Sequence, residues 1–186
     1  GLALDKVSRH LDRVAHHLGR TGRPSAKVCS DNNFPTAAGL ASSASAFAAL
    51  TVAATAAMLG AGWVLDDTWR SRLSLLARQG SGSASRSMFG GIAVFSTGTP
   101  GIPETAAAHP ILGQTDWSAL RMVIGVATEA AKATASTDGM RHTSATSPYF
   151  PPFVAQAPED LRQALAAVHN RDLAALGKIT ERSALR

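Results

Sequence analysis

The pattern of the sequence predicts a globular fold that combines several α-helices with a few short β-strands. Of its 186 residues, 45% are hydrophobic and 17% are charged, a composition typical of a chain that buries a core and not of a disordered one. Apolar residues recur at helical spacing in the first 18 residues, and short apolar runs interrupt the polar segments further along. A chain of this length is long enough to bury a good core.

Five segments are predicted to be helices. The first is amphipathic, because its apolar residues recur at steps of three and four: Leu4, Val7, Leu11, Val14 and Leu18. A long Ala-rich helix is expected over residues 40–59, and a third begins at a cap provided by Asp66 or Asp67 and ends at Gly80 as its C-terminal glycine. Two more are expected after Pro158, over residues 159–169 and 171–185, with residues 170–172 as the break between them.

Three short runs are predicted to be strands, over residues 26–30, 92–95 and 120–128, the last being the most apolar. Residues 96–116 contain three prolines and are expected to form a turn-rich surface connection. Residues 129–140 are polar and are expected to form a mobile loop.

Charge and cysteine content restrict the classes of function. The formal net charge of +5 suits an anionic substrate or a nucleotide, but the basic residues are scattered and only 5% of residues are aromatic. Nucleic-acid surfaces more often combine a basic patch with stacking rings, so no nucleic-acid partner is expected. The single cysteine, Cys29, excludes an internal disulfide and a multi-cysteine metal site, and it suits a reducing cytoplasm. Residues 32–65 carry no charge, but prolines, glycines and hydroxyl residues interrupt them, so we expect no membrane span.

We expect the rest of the chain to be organised around the stretch from Cys29 to Leu50. An extended segment leads through Gly39, which allows a tight turn, into a helix whose first turn holds Ser42, Ser43 and Ser45. A helix N-terminus exposes N–H groups and partial positive charge, so it favours an anion such as phosphate. The alternative, that these serines only cap a buried Ala-rich helix, stays open on composition alone.

A second polar segment, residues 80–91, is rich in glycine and serine and contains Arg86. It matches neither the G-x-G-x-x-G nor the Walker A pattern. Its hydroxyl and N–H donors, with a guanidinium that can bind a carboxylate or phosphate through two hydrogen bonds, suit an anionic ligand. The alternative is a flexible linker.

These residues carry a resemblance to a known family. Pro35-x-x-x-Gly39-Leu40-x-Ser42-Ser43-Ala44 resembles the phosphate-binding motif of the GHMP kinase superfamily. The longer string NNFPTAAGLASSAS, residues 32–45, resembles one branch of it, the mevalonate diphosphate decarboxylases. Residues 77–91 and 132–150 resemble the same branch in the same order, so the matches together span most of the chain.

The resemblance implies an activity. Enzymes of this family use ATP, with Mg²⁺, to phosphorylate the tertiary hydroxyl of mevalonate 5-diphosphate; loss of phosphate and carbon dioxide then gives isopentenyl diphosphate, the isoprenoid precursor. Phosphoryl transfer of this kind depends mainly on positioning and charge stabilisation.

The resemblance also implies roles for individual residues. The ATP phosphates would lie against Ser30, Gly39, Leu40, Ala41, Ser42 and Ser43, with Ser43 orienting the triphosphate and aiding transfer. The substrate loop would be Ser81, Gly82, Ser83, Ala84, Ser85 and Arg86; Ser81 and Ser83 would hold the diphosphate, and Arg86 the carboxylate that is later expelled. The family usually has cysteine where this chain has Ser85. A second diphosphate-side segment would contain Ser136, Thr137 and Met140.

The fold implied by the resemblance is α+β in two layers. An N-terminal GHMP domain, similar to domain 2 of ribosomal protein S5, would occupy residues 1–97, and a connection residues 98–119. The start of a ferredoxin-like C-terminal domain would occupy residues 120–186. Two family segments, Tyr-Trp-Gly-Lys with the substrate lysine and Asp-Ala-Gly-x-Asn with the catalytic aspartate, are missing from the sequence. We therefore expect the chain to be an internal piece of a longer enzyme and to be inactive alone; family members are commonly dimers.

Two alternatives remain. One is a related GHMP kinase or decarboxylase that acts on mevalonate or its monophosphate, including one that phosphorylates without decarboxylating. The other is a non-catalytic module that binds a phosphate ligand. The complete Ser81 to Arg86 loop favours the decarboxylase, since Arg86 is the residue that would hold the departing carboxylate.

Overall fold

The computed structural model of the chain describes residues 2–34, 39–102, 105–125 and 136–185. These residues form two compact units, the first reaching Gln114 and the second beginning at Thr115. Within them lie six α-helices, one 3₁₀ helix and two β-strands, so both helix and sheet are present as predicted.

The first unit contains, in chain order, α1 (Leu2–His17), α2 (Ser42–Leu59), α3 (Asp67–Arg78), a 3₁₀ helix (Gly82–Met88), β1 (Ile92–Phe95) and β2 (Ala108–Leu112). The first two predicted helices are confirmed to within a few residues. The third is confirmed with Asp66 as its cap, since an Asp66 carboxylate oxygen accepts a hydrogen bond from the Trp69 N–H at 2.7 Å.

The core of the first unit lies where α1, α2, α3 and the 3₁₀ helix meet. It is built from apolar residues at helical spacing: Leu11, Val14, Ala48, Ala54, Leu73, Leu76, Ala77, Ala84 and Met88. Three of the four α2 and 3₁₀ members are alanines, and short side chains allow the helices to approach closely. Two threonines on α2 are also fully buried, and each donates its hydroxyl to a backbone carbonyl one turn earlier.

By length and composition alone, α2 could also cross a membrane, since its 18 residues have a mean hydropathy of 1.5. In the structure it packs against α1, α3 and the 3₁₀ helix. Its buried residues, Ala44, Ala48, Thr51, Ala54 and Thr55, face that core. In this helix 28% of the residues are buried, so one face packs into the core while the other residues are half-buried or exposed.

The strand predictions are only partly correct. The strand over residues 92–95 is confirmed as β1, which pairs antiparallel with β2. Strand β2 lies within residues 96–116, which were expected to form a turn-rich surface connection. Residues 26–30 and 120–125 are not in strands, and Met122 and Val123 are 89% and 92% exposed. A strand needs a neighbour to pair its backbone groups, and in the described residues β1 and β2 pair only with each other. The rest of the predicted third strand, residues 126–128, lies outside the described residues.

The second unit contains α4 (Ser136–Thr146), α5 (Phe150–His169) and α6 (Leu173–Ala184). Residues 136–140, expected in a loop, form the start of α4; residues 129–135 lie outside the described residues. The helix predicted from Glu159 begins at Phe150 and runs through Pro158. Pro151 and Pro152 fit its first turn, where a backbone N–H would have no partner within the helix.

The break between α5 and α6 is confirmed at Asn170–Asp172. Arg171 has a left-handed backbone with φ 54°, and an Asp172 carboxylate oxygen accepts from the Ala175 N–H at 2.9 Å. The two helices pack through Ala167, Val168 and Ile179, and the Arg182 guanidinium donates to the buried Asp160 carboxylate at 2.7 Å.

Candidate active site

The chain enters α2 through an unusual backbone. Gly39 has φ 88°, which confirms the predicted turn, and Ala41 is left-handed at φ 54° and ψ 40°. A left-handed alanine is uncommon and costs energy, and such residues concentrate at functional sites. Ala41 is also the N-cap and supplies no capping side chain, whereas carboxylates cap α3 and α6. Within the described residues, Ala41 therefore leaves the start of α2 without the side-chain cap that α3 and α6 have, and a helix N-terminus favours an anion. Pro35, part of the predicted motif, lies outside the described residues.

The hydroxyl groups near this helix start differ in their environments. Ser43 is exposed, and its Oγ lies 3.2 Å from Oγ of Ser81, a residue 38 positions further along the chain. Ser45 donates instead to the carbonyl of Ser42 at 3.0 Å. The structure thus brings together Ser43, from the segment predicted to bind the ATP phosphates, and Ser81, from the segment predicted to bind the substrate diphosphate.

Ser30, on the extended segment before the motif, is also exposed. It lines a cleft of about 180 Å³ against α2, together with Val28, Cys29, Phe47 and Leu50. Apart from Ser30 and the Cys29 thiol, these walls are apolar.

The glycine- and serine-rich segment is an ordered helix and not a flexible linker. Ala84, Ser85 and Met88 of the 3₁₀ helix are buried. The Ser85 hydroxyl donates to the Gly82 carbonyl, and the Ser85 carbonyl accepts from the Ser74 hydroxyl, both at 3.0 Å. Any contact of Ala84 or Ser85 with a ligand would therefore have to come from the backbone. Gly82 is exposed and Ser83 is half-buried.

Gly80 directly follows the C-cap of α3, which agrees with the predicted end of this helix, but its backbone is not left-handed. Its φ is not positive, and α3 closes at Gln79 with φ −70° and ψ −18°. The structure gives a different reason for glycine. A Cβ at this position would lie 2.1 Å from Cδ1 of Phe47, so the loop passes directly against that ring.

Arg86 is exposed at the other end of this segment. Within the part of the chain that the structure describes, its guanidinium makes no hydrogen bond or ion pair. A guanidinium without a protein partner is available for a carboxylate or phosphate.

Two other arginines fix the segment in place, and sequence reasoning missed both. Arg13 of α1 donates to the Gln79 carbonyl, and Arg70 of α3 donates to the Met88 carbonyl, each at 2.9 Å. They anchor the two ends of the loop that carries Ser81 and Arg86. No local signal marks Arg70, because its partner lies 18 residues away.

His10 is a buried titratable residue whose ring packs edge-on against the Phe47 ring, with 5.0 Å between the two ring centres. The Thr51 hydroxyl donates to the Phe47 carbonyl, so it accepts from His10 Nε2–H at 2.8 Å. Nδ1 is then unprotonated, and it has no partner among the described residues. Burial, aided by the charge of Arg13, lowers the pKa of His10 to about 4. His10 is thus neutral at pH 7 and serves packing.

The donors at this site suit phosphate better than they suit a protein-held metal. The Ser43 hydroxyl at the start of α2 and the Ser81 hydroxyl lie together here, and the described residues include no group of three His, Cys, Asp or Glu side chains placed to hold a metal ion. These residues fit the phosphates of ATP. A Mg²⁺ ion would take ligands mainly from those phosphates and water, as is usual for this ion.

The third predicted segment lies in the second unit. Ser136, Thr137 and Met140 occupy the first turns of α4 and are exposed. Ser136 and Met140 line an open, mostly apolar groove of about 860 Å³ with Tyr149, Phe150 and Phe153. This groove lacks the hydroxyl-to-hydroxyl contact of the first unit.

Comparisons with known proteins show the family of the chain. Residues 2–107 match the sequence model of the diphosphomevalonate decarboxylase-like N-terminal domain, and residues 122–185 match the mevalonate 5-diphosphate decarboxylase C-terminal domain. Diphosphomevalonate decarboxylase ERG19 of Gibberella zeae is 40% identical over 173 residues, which cover 92% of this chain and 44% of that protein. The chain therefore spans less than half the length of this relative.

Solved structures give the same result. Mevalonate diphosphate decarboxylase from Staphylococcus aureus has a TM-score of 0.77 and 36% identity, covering 100% of this chain and 53% of that one. A second structure, MDDEF in complex with MVAPP, AMPPCP and magnesium, has a TM-score of 0.73 and 35% identity, covering 97% of this chain and 52% of that one. The implied two-layer α+β fold is thus confirmed, and the chain belongs to the diphosphomevalonate decarboxylase-like family.

Proposed function

We propose that the protein carrying this chain catalyses the ATP-dependent decarboxylation of mevalonate 5-diphosphate to isopentenyl diphosphate. The observation that carries the proposal is the 3.2 Å contact between the hydroxyls of Ser43 and Ser81. This contact places the start of α2, which is suited to a nucleotide triphosphate, next to the loop that is suited to the substrate. Phosphoryl transfer requires such proximity of donor and acceptor.

In this proposal the ATP phosphates lie against the Gly39–Ser43 segment and Ser30. The left-handed residues Gly39 and Ala41 and the lack of a capping side chain at Ala41 distinguish this helix start, and a helix N-terminus favours a phosphate. Ser43 is exposed and donates to the phosphoryl group as charge develops on it. Magnesium accompanies the nucleotide, as in the relative solved with AMPPCP and magnesium, and neutralises phosphate charge.

The substrate binds along Ser81, Gly82 and Ser83, with Arg86 on its carboxylate. Support comes from the partial exposure of Ser81 and Ser83 and from the unpartnered, exposed guanidinium of Arg86. Two parallel N–H···O bonds would orient the carboxylate so that its bond to carbon can break as phosphate leaves. Ala84 and Ser85 contribute through their backbone, because their side chains are buried.

Ser136, Thr137 and Met140 are proposed to bind the substrate diphosphate. Their support is their exposure in the first turns of α4, since a helix N-terminus favours an anion. We also propose a domain division with an N-terminal domain over residues 1–97 and a C-terminal domain from residue 120. A cytoplasmic location is supported by the free, exposed thiol of Cys29.

The proposal is tested by a product assay on the enzyme expressed from its complete gene. Mevalonate, its 5-phosphate and its 5-diphosphate are each incubated with ATP and Mg²⁺, and carbon dioxide, phosphate and isoprenoid product are measured. We expect all three products from the 5-diphosphate only. Phosphorylated product without carbon dioxide would establish a kinase instead, and no turnover of any of the three would refute the assignment.

A further inference from the structure

Ser74 of α3 is a fully buried serine in the core of the first unit. Its exposed fraction is 0%, as are those of its helix neighbours Leu73 and Ala77. A buried hydroxyl costs free energy unless it is hydrogen-bonded. The buried hydroxyls of Thr51 and Thr55 meet this need locally, each with a carbonyl one turn earlier in its own helix.

The Ser74 hydroxyl makes a bond of a different kind, because it reaches out of its own helix. It donates to the carbonyl of Ser85 at 3.0 Å, a residue 11 positions further along the chain in the 3₁₀ helix. Since a peptide bond is planar, the Ser85 carbonyl is rigidly connected to the N–H and Cα of Arg86. The bond from Ser74 therefore fixes the peptide from which the exposed Arg86 side chain departs.

Arg70, one turn earlier on α3, fixes the backbone on the other side of Arg86. Its guanidinium donates to the Met88 carbonyl at 2.9 Å. Four residues of an α-helix and three residues of a 3₁₀ helix both advance about 6 Å. The two donors on α3, Arg70 and Ser74, are thus spaced to hold two carbonyls one 3₁₀ turn apart, with Arg86 between them.

The backbone around Arg86 is also fixed from within the loop. The Arg86 carbonyl accepts from the Phe89 N–H at 3.1 Å, and the Ser85 hydroxyl donates to the Gly82 carbonyl at 3.0 Å. Arg86 therefore combines a fixed backbone with an exposed side chain. This combination suits a residue that presents a planar pair of N–H donors to a ligand, because the ligand then has only the side chain to order.

We propose that Ser74 is a positioning residue for the substrate carboxylate, which it orients by holding the Ser85–Arg86 peptide. The inference rests on the proposed function, since that function assigns the carboxylate to Arg86. Two parallel N–H···O bonds require a defined direction of approach, and a displacement of about 1 Å can cost roughly a hundredfold in rate. Ser74 itself is buried and acts only through the position of Arg86.

The test is a double-mutant cycle in the enzyme expressed from its complete gene. Ser74→Ala removes the hydroxyl without adding volume, and we expect it to lower kcat for decarboxylation about tenfold while KM for ATP changes less than about twofold. In an Arg86→Lys background the paired geometry is already lost, so we expect Ser74→Ala to lower kcat less than about twofold further. An undiminished tenfold loss in that background would overturn the proposal.

Thr55→Val is the matched control, since it also removes a buried hydroxyl from a core helix. The Thr55 hydroxyl bonds only one turn back within α2, so we expect this variant to keep kcat within about twofold of the wild-type value. Urea unfolding of both variants compares their stabilities. A loss of turnover in Thr55→Val as large as that in Ser74→Ala would show a general effect of core destabilisation and would overturn the positioning role.

Amide hydrogen exchange separates this proposal from the assigned reaction. We expect Ser74→Ala, but not Thr55→Val, to speed exchange of the backbone amides of residues 85–88 at least about fivefold, with or without substrate. Unchanged exchange would overturn the proposal even in an active enzyme. A wild-type enzyme that releases no carbon dioxide from mevalonate 5-diphosphate would instead refute the proposed function, while faster exchange in Ser74→Ala would still support Ser74 as the residue that fixes the Arg86 peptide.

Discussion

Replacing Gly80 with alanine tests whether the loop that carries Ser81 and Arg86 is positioned by close packing against α2. The new Cβ would lie 2.1 Å from Cδ1 and 2.5 Å from Cγ of Phe47, whereas carbon atoms in contact are normally about 3.5–4.0 Å apart. The ring would have to retreat by more than about 1 Å. Its neighbour His10, 5.0 Å away between ring centres, limits that movement.

The magnitude follows from two opposing effects. Overpacking of a tight core site costs about 1–3 kcal/mol. Because Gly80 has no positive φ, alanine is compatible with the backbone and recovers about 0.4–1 kcal/mol by restricting the unfolded chain. We therefore expect Gly80→Ala to lower the free energy of unfolding of the first unit by about 1–2 kcal/mol.

The assay is urea unfolding followed by tryptophan fluorescence in a Trp117→Phe background. In that background the remaining tryptophans, Trp63 and Trp69, both report on the first unit. Gly82→Ala is the matched control, since a Cβ there meets no heavy atom within 4 Å. We expect the control to be neutral or slightly stabilising.

A double-mutant cycle with Phe47→Ala completes the test. If the clash with the ring is the cause, Gly80→Ala should cost less than about 0.5 kcal/mol once the ring is gone. Two results would refute the reasoning: a stability for Gly80→Ala equal to that of Gly82→Ala, or an undiminished cost in the Phe47→Ala background.

Three further predictions concern buried and reactive groups. The pKa of histidine is 6.5 in the unfolded chain and about 4 for folded His10, so between these pH values the unfolded state binds a proton that the native state does not. The free energy of unfolding is therefore expected to fall by up to about 3 kcal/mol as the pH drops from 6.5 to 4. Urea unfolding measured at each pH should show a smaller loss in the His10→Gln variant. In the complete enzyme, Ser43→Ala is expected to lower kcat by about 10²–10³ with unchanged thermal unfolding, because one donor to the transferring phosphate is removed; near-normal turnover would take Ser43 out of the mechanism. Arg86→Lys keeps the charge but loses the paired geometry, so decarboxylation is expected to slow roughly a hundredfold while ATP binding, measured by calorimetry, is retained; wild-type rates at limiting and saturating substrate would contradict the carboxylate role.

Local patterns made the helices of the first unit and the site segments predictable. Steps of three and four located α1, and Asp66 marked the start of α3, because capping and amphipathic periodicity are determined by residues within a turn or two. The turn at Gly39 was predictable for the same reason. The start of α5 was not predictable in this way, because Pro158 was interpreted as a helix boundary although the helix continues through it.

The sequence by itself therefore determined the helices of the first unit and the family of the chain, and it singled out the two segments that we propose bind phosphate. Only the tertiary structure decided that the Ser43 hydroxyl contacts the Ser81 hydroxyl and that Ser85 is buried. It also decided that position 80 requires glycine, because a Cβ there would overlap the Phe47 ring. It likewise decided that residues 108–112 form a strand while residues 26–30 and 120–125 do not. These features all depend on partners distant in the chain, because strand pairing, close packing and contacts between loops are set by which surfaces meet and not by neighbouring residues.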